Sequence, residues 1–248
     1  MAICLMYHNI IAADAQGSHF FREHRPYVVT TRLFESHIAA AREAGWAFLS
    51  PLDAVRAKAQ DKALLLTFDD SWENLQAETV LSAAQLSGIF FLNSALIGQR
   101  QMLARADVRR MCDAGHEIGS HGLTHDFFST MSTQQLRRAL FDSKASLEDM
   151  TGREVSFLSA PGGRYDRRAV ELAQEAGYSA FFVSRPGFFH GARDTFVVNR
   201  ICITADITEK RFTRFIDRPA TGIAYRHAFY KCARLWRRLV ERPPGDAA

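Results

Sequence analysis

The chain is predicted to be an α/β protein, a single distorted (β/α) barrel of about seven parallel strands. Three observations lead there. Short apolar runs alternate with amphipathic helical segments along nearly the whole length, the pattern of strand–helix units that build a parallel sheet. The run Ala63–Phe68 is continuously apolar, as a strand buried on both faces must be. The length of 248 residues suits one closed barrel better than two small domains.

Element by element, Ile3–Tyr7 reads as the first strand, ending at His8. Thr31–Ala44 is a helix, with Leu33, Phe34, His37, Ile38 and Ala41 on one face and Gly45 as its stop. Phe48–Ser50 is a brief strand, and Pro51–Ala59 is a helix with proline at an early position. The strand Ala63–Phe68 runs into Asp69-Asp70, and a helix follows over Glu73–Leu86. Ile89–Leu92 is a strand, Ala106–Ala114 a helix, and Glu117–Ser120 a strand leading into His121. Ser132–Thr151 is a long helix with Ser132 or Thr133 as N-cap and Gly152 beyond its end. Ser156–Ser159 is a strand before Pro161-Gly162-Gly163, Arg167–Ala176 a helix, and Ala180–Val183 and Phe196–Ile203 are strands. Gly17–Pro26 and Ser184–Asp194 read as loops.

Composition narrows the function classes. Hydrophobic residues are 47% and charged residues 23%, the balance of a globular domain. No apolar run reaches the ~18 residues of a membrane span. The N-terminus lacks the basic flank, apolar stretch and cleavage site of a secretory signal, which points to the cytoplasm. Cys4, Cys112, Cys202 and Cys232 are widely spaced and are expected to be free thiols. The net charge of +4 is uneven: six basic residues and one acid between Ile223 and Arg242 carry +5, which leaves −1 for the rest. A near-neutral body is no nucleic-acid binder. Residues 1–220 therefore read as the barrel, 221–242 as a basic amphipathic helix, and 243–248 as a disordered tail. Tyr225, Phe229, Cys232, Trp236 and Leu239 share one stripe of that helix. Such a helix either contacts an anionic membrane surface peripherally or packs on the barrel with its basic face solvated.

Polar residues gather where strands end: His8, Asp69-Asp70, His121 and Pro161-Gly162-Gly163. Those C-terminal strand ends carry the chemistry of parallel α/β folds. Two adjacent carboxylates after a buried strand need compensation, from a divalent cation or, more plainly, from a turn in which Asp70 caps a helix. His121 and His125 stand four apart, a spacing that faces one ion if the segment is helical or turned. One Asp and two His leave coordination positions open for water, as hydrolytic zinc sites do.

The strings Leu66-Thr-Phe-Asp-Asp70, Gly115-His-Glu-Ile-Gly-Ser-His-Gly-Leu-Thr-His125 and Ala160-Pro-Gly-Gly-Arg-Tyr-Asp166 resemble, in order and spacing, the first three motifs of the polysaccharide deacetylases (NodB-homology domains, carbohydrate esterase family 4). Leu5-Met-Tyr-His-Asn9, the run Phe34 to Leu52, and Val197-Val-Asn-Arg-Ile201 resemble its exopolysaccharide and poly-N-acetylglucosamine branch. The resemblance implies that Asp70, His121 and His125 hold one divalent ion, zinc foremost with cobalt or nickel as alternatives. It implies that Asp69 is the base, and that the N–H of Gly162, after Pro161 and beside Gly163 and Arg164, donates to the oxyanion. The implied reaction is hydrolysis of an acetyl group from an N-acetylated sugar or glycan.

Three departures from the family pattern bear on mechanism. Ser159 stands where many members carry an arginine that orients the base, so Arg200, or else Arg164, is the expected substitute. Gly162 stands where an aromatic residue is common, which is expected to open room beside the substrate. No late Leu-x-His motif supplies an acid; His8 is the candidate acid or substrate contact. The missing acid keeps a catalytically impaired glycan-binding module in view, and the missing signal peptide keeps a hydrolase of small non-sugar acyl amides in view.

Overall fold

A computed structural model describes residues 2–12, 25–56, 62–72, 75–189 and 196–228. Its strands are β1 (Ala2–Tyr7), β2 (Asn9–Ile11), β3 (Val28–Thr30), β4 (Ala47–Phe48), β5 (Ala63–Asp69), β6 (Ile89–Leu92), β7 (Glu117–Ser120), β8 (Phe157–Ser159), β9 (Ala180–Val183), β10 (Val197–Asn199) and β11 (Ile201–Cys202). The helices are α1 (Thr31–Glu43), α2 (Pro51–Arg56), α3 (Leu75–Ala83), α4 (Arg105–Asp113), α5 (Thr133–Thr151), α6 (Arg167–Glu175) and α7 (Glu209–Asp217). The main sheet runs β10-β9-β8-β7-β6-β5-β1-β11, with all its ladders parallel.

The barrel is closed by one interrupted strand. Residues 197–199 pair with β9, and residues 201–202 pair with β1. The sequence reads Phe196–Ile203 as a single strand; the structure breaks it at Arg200, whose N–H turns to the Arg185 carbonyl. With β10 and β11 counted together, seven strands among the described residues surround the barrel, and β4 adds a short ladder to the start of β5. Two features went unread in the sequence: the separate parallel pair β2–β3 and the helix α7.

Alternation divides the core in two. Cys4, Leu65, Phe91, Phe157, Phe182 and Val198 belong to an inner cluster within the barrel. Their strand neighbours Leu5, Leu64, Leu66, Phe90, Leu158 and Phe181 pack outward with the helices. Gly119 makes the inner packing feasible, since a Cβ there would lie 2.5 Å from the Phe91 ring. The inward register continues past the apolar layer to Thr67, Asp69 and Ser159, all buried. The sequence thereby plugs the barrel with aromatic rings and places its polar groups at the C-terminal mouth.

Caps set the helices. Ser132 and Gln135 exchange reciprocal hydrogen bonds at the start of α5, and Gly152 ends it at φ 65°. Helix α1 is fixed to α7 through His37, which is buried and stacks on Phe212 with ring centroids 4.3 Å apart. His37 Nε2 donates to the Ile207 carbonyl at 2.8 Å, so Nδ1 accepts from the Tyr7 hydroxyl at 3.1 Å. Burial pushes this ring down to about 4, against the Ile207 hydrogen bond. The unfolded chain, with its histidine near 6.5, binds the extra proton first. The stabilisation from a neutral His37 is therefore complete above about pH 6.5 and is lost as pH falls toward 4. Urea unfolding across that range is expected to show a decline of about 3 kcal/mol from this residue. His37→Gln should flatten that limb relative to wild type.

Cys4 and Cys112 are buried and Cys202 half-buried, all as free thiols; Cys232 lies outside the described residues. Burial pushes Cys4 and Cys202 up to about 12, so neither is a nucleophile at neutral pH. No helix among the described residues is long and apolar enough to cross a membrane. Residues 219–228 are helical, and the remainder of the expected basic helix and the tail fall outside the described residues. Within 219–228, Tyr225 of the apolar stripe is exposed, whereas Arg226 docks on the Cys202 carbonyl at 2.9 Å. Ile223 of the same turn is buried with Phe212 and Phe215, so this start of the helix packs on the barrel through Ile223 and Arg226 rather than through Tyr225.

Candidate active site

The end of β5 delivers two carboxylates to one place. In an extended strand successive side chains point to opposite faces. Here Asp70 adopts φ 76°, a left-handed conformation that aspartate tolerates better than most residues. That turn lets Asp69 stay in the barrel mouth while Asp70 swings toward the β7 end. Such strain persists only where surrounding structure holds it.

His121 follows β7 directly and is 1% exposed. Its Nδ1 donates to the Ser159 carbonyl at 2.9 Å, which leaves the Nε2 lone pair facing Asp70. Nε2 lies 3.6 Å from Asp70 Oδ1 and 4.0 Å from Asp69 Oδ2. His125 reaches the same carboxylate oxygen at 3.1 Å from the end of a turn, with Gly122 at φ 80°. The ligand atoms of Asp70, His121 and His125 all lie within 4.8 Å of one another. Asp70 Oδ1 is buried and lacks a well-aligned hydrogen-bond donor. An acceptor-rich cluster of this kind is costly without a cation, so the donor set fits a divalent metal.

The loop carrying the two histidines is held by Asn93, which sequence reasoning missed. Its side-chain amide donates to the carbonyls of His121 at 2.7 Å and Thr124 at 3.2 Å. Its backbone N–H donates to Ser71 Oγ at 2.6 Å, tying the β5 turn to the same loop. The available signal was an asparagine immediately after a buried apolar strand.

Asp69 is 4% exposed and Arg200 fully buried. Arg200 grips Asp69 with both terminal nitrogens, at 2.5 Å to Oδ1 and 2.7 Å to Oδ2. The guanidinium also donates to Thr67 Oγ1 at 3.2 Å and Ser159 Oγ at 2.7 Å, and it rests over Phe91. Ser159 in turn donates to Asp69 Oδ2 at 3.2 Å. The small serine leaves space into which an arginine arrives from the closing strand. Arg164 goes elsewhere: its guanidinium lies 4.4 Å over the Phe127 ring.

Electrostatics follow from these contacts. Burial opposes ionisation of Asp69, but the Arg200 charge and hydrogen bonds outweigh it and hold the carboxyl below its usual range. Burial likewise opposes Asp70, and the histidine rings of His125, His8 and His121 hold it well below. Burial lowers His121 and His8, against the pull of the two carboxylates. His8 follows β1 and packs against Tyr27, ring centroids 4.6 Å apart and planes tilted by 45°.

The Pro161-Gly162-Gly163 turn follows Ser159, whose hydroxyl touches Asp69 and whose carbonyl accepts from His121. Gly162 and Gly163 have φ 58° and 64°. The N–H groups of Gly163 and Arg164 are spent on the Ala160 and Pro161 carbonyls. That of Gly162 finds no acceptor among the described residues, as an oxyanion donor requires. The expected opening beside Gly162 is absent. A Cβ at that position would lie 2.7 Å from the Phe127 ring, so an aromatic side chain from the His125 loop fills the space. Gly162→Ala adds both a positive-φ penalty and this clash. A loss of roughly 1–3 kcal/mol in stability is expected, readable by thermal unfolding.

Comparisons with known proteins bear on the family and the fold. The family model for polysaccharide deacetylases matches residues 56–181, just over half of the 248. YxkH of Bacillus subtilis (strain 168), a protein named after the same family, is 25% identical over 220 residues, covering 86% of this chain and 75% of that one. A peptidoglycan-N-acetylglucosamine deacetylase of Bacillus cereus is 29% identical over 121 residues, 48% of this chain and 54% of that one, so the match spans about half of each. Among solved structures, the Streptococcus pyogenes deacetylase PplD in complex with acetate superposes with a TM-score of 0.76 at 22% identity, over 87% of this chain and 97% of that one. Motifs, barrel and family match converge: the chain belongs to the polysaccharide deacetylase family.

Proposed function

We propose that this protein is a metal-dependent hydrolase that removes the acetyl group from an N-acetylated sugar by cleaving its amide C–N bond, in bacterial surface-polysaccharide metabolism. The single observation that carries the reading is the pairing of two differently held carboxylates. Asp70 faces two histidines within ligand distance, while Asp69, next in sequence, is held ionised by Arg200.

Asp70, His121 and His125 would hold the ion, zinc foremost. Such an ion supplies a Lewis acid for the acetyl carbonyl and a lowered pKa for bound water. Asp69 Oδ2, 4.0 Å from the His121 ring, takes the proton as water adds to the carbonyl carbon. Arg200 and Ser159 fix the direction of that carboxylate and keep it unprotonated between turnovers. The Gly162 N–H receives the developing oxyanion. The C–N bond breaks to acetate and the sugar amine; His8, at the end of β1, is the candidate either to bind the substrate or, once protonated, to give a proton to the leaving nitrogen.

The test is acetate release from a panel of N-acetylated oligosaccharides and nucleotide sugars, with added zinc and with chelator. Release that stops with chelator and returns with zinc is the expected result. Sugar binding without release from any substrate would favour a catalytically impaired glycan-binding module. Release only from small amides would replace the sugar with another acyl amide.

A further inference from the structure

A groove of about 1560 Å³ runs between the barrel mouth and the C-terminal helices. Typical small-molecule pockets hold about 300–1,000 Å³, so this one exceeds what a single sugar needs. Ser184, Cys202 and Thr204 line it on the barrel side, and α7 with the following helix lines it opposite. It begins at the barrel mouth, because Tyr27 both lines the groove and packs against His8.

Two properties mark this groove. Among the described residues three large hydrophobic side chains are exposed, Tyr27, Leu52 and Tyr225, and both tyrosines lie in this groove. A tyrosine ring offers an apolar face with a polar tip, suited to the C–H face and hydroxyl rim of a pyranose. The groove also carries five basic side chains against the acids Asp206 and Asp217. Arg211 is paired with Asp206 at 2.8 Å and Arg226 with the Cys202 carbonyl. Lys210, Arg214 and Arg218 recur at four-residue spacing and have no ion pair among the described residues. A solvated helix face explains the cations alone, but not their sharing a groove with the two exposed tyrosines.

We propose that this groove holds the continuation of an anionic glycan. Sugar rings lie on Tyr27 and Tyr225, carboxylate or phosphate groups meet Lys210, Arg214 and Arg218, and the acetamido sugar sits at His8. The last clause rests on the deacetylase reading; the binding of anionic sugars in the groove does not.

Calorimetry on the full, zinc-supplemented chain tests it with three probes: a neutral chitin tetrasaccharide, a tetrasaccharide alternating N-acetylglucosamine with glucuronate, and UDP-N-acetylglucosamine. At least one anionic probe is expected to bind roughly tenfold tighter than the neutral one, the factor three partly screened contacts supply together. The preference should shrink with added salt. Which anionic probe gains identifies carboxylate or phosphate as the group recognised. Arg214→Glu with Arg218→Glu, both at exposed positions, should abolish the preference and leave neutral binding and thermal stability unchanged. Tyr225→Ala should weaken the acidic tetrasaccharide severalfold. Equal affinity for all three probes, or a preference that survives the double charge reversal, would overturn the proposal. So would binding of phosphatidylglycerol vesicles, lost in the double variant, with no preference among the sugars. Acetate release measured on the same samples reports separately on the deacetylase reading.

Discussion

Asp69→Asn is expected to lower acetate release by ~10²–10⁴-fold, the usual contribution of a positioned general base, while bound zinc stays at the wild-type level. The substitution keeps the side chain's size and one acceptor oxygen for Arg200. It removes the charge and the ability to take a proton from water. The ligand set of Asp70, His121 and His125 is untouched, so metal analysis and kinetics should separate. If the same variant retained full turnover, the base would have to be sought elsewhere. If it lost its metal, the division of labour between the two carboxylates would be wrong.

Arg200→Met is expected to be the most destabilising change in the site. It leaves a buried carboxylate facing the barrel interior without its partner, and breaking one side of such a pair costs about 3–5 kcal/mol. For a chain of this size that corresponds to a fall in Tm on the order of 10 °C. Arg200 also holds the Asp69 carboxyl down against its burial. Without it the carboxyl titrates higher, and the acid limb of the kcat/KM profile should move to higher pH. A merely structural arginine would lower Tm and leave that limb in place. Arg200→Lys keeps a charge but not the two-pronged grip, so it should fall between. Asp69→Asn combined with Arg200→Met should cost less stability than the two changes added, because both remove the same buried pair.

The strands that build the barrel were legible because burial on both faces forces continuous apolar runs. Ala63–Asp69 and Ile89–Leu92 stand where their composition puts them. The metal-ligand candidates were legible because their spacing and their position after strands are local properties. What the sequence concealed was non-local. The pairing of Arg200 with Asp69 joins residues 131 apart; composition and spacing do not reveal it, and it was anticipated only because the family resemblance calls for an arginine beside the base and a lone arginine inside an apolar strand needs a partner. The filling of the Gly162 space by Phe127 likewise depends on how two loops pack. Helix α7 was missed although its buried Phe212, Phe215 and Ile216 follow helical spacing. The β2–β3 pair consists of three-residue strands joined in parallel, too short for periodicity to register.

The account stands on the separation of metal holding from proton transfer in adjacent carboxylates, and elemental analysis with acetate release on the same preparations tests it most directly. Wild type and Asp69→Asn are predicted to carry one zinc per chain and Asp70→Ala none, with chelator-sensitive acetate release in wild type alone. Stoichiometric zinc in Asp70→Ala, or wild-type release that continues undiminished in chelator, would contradict it.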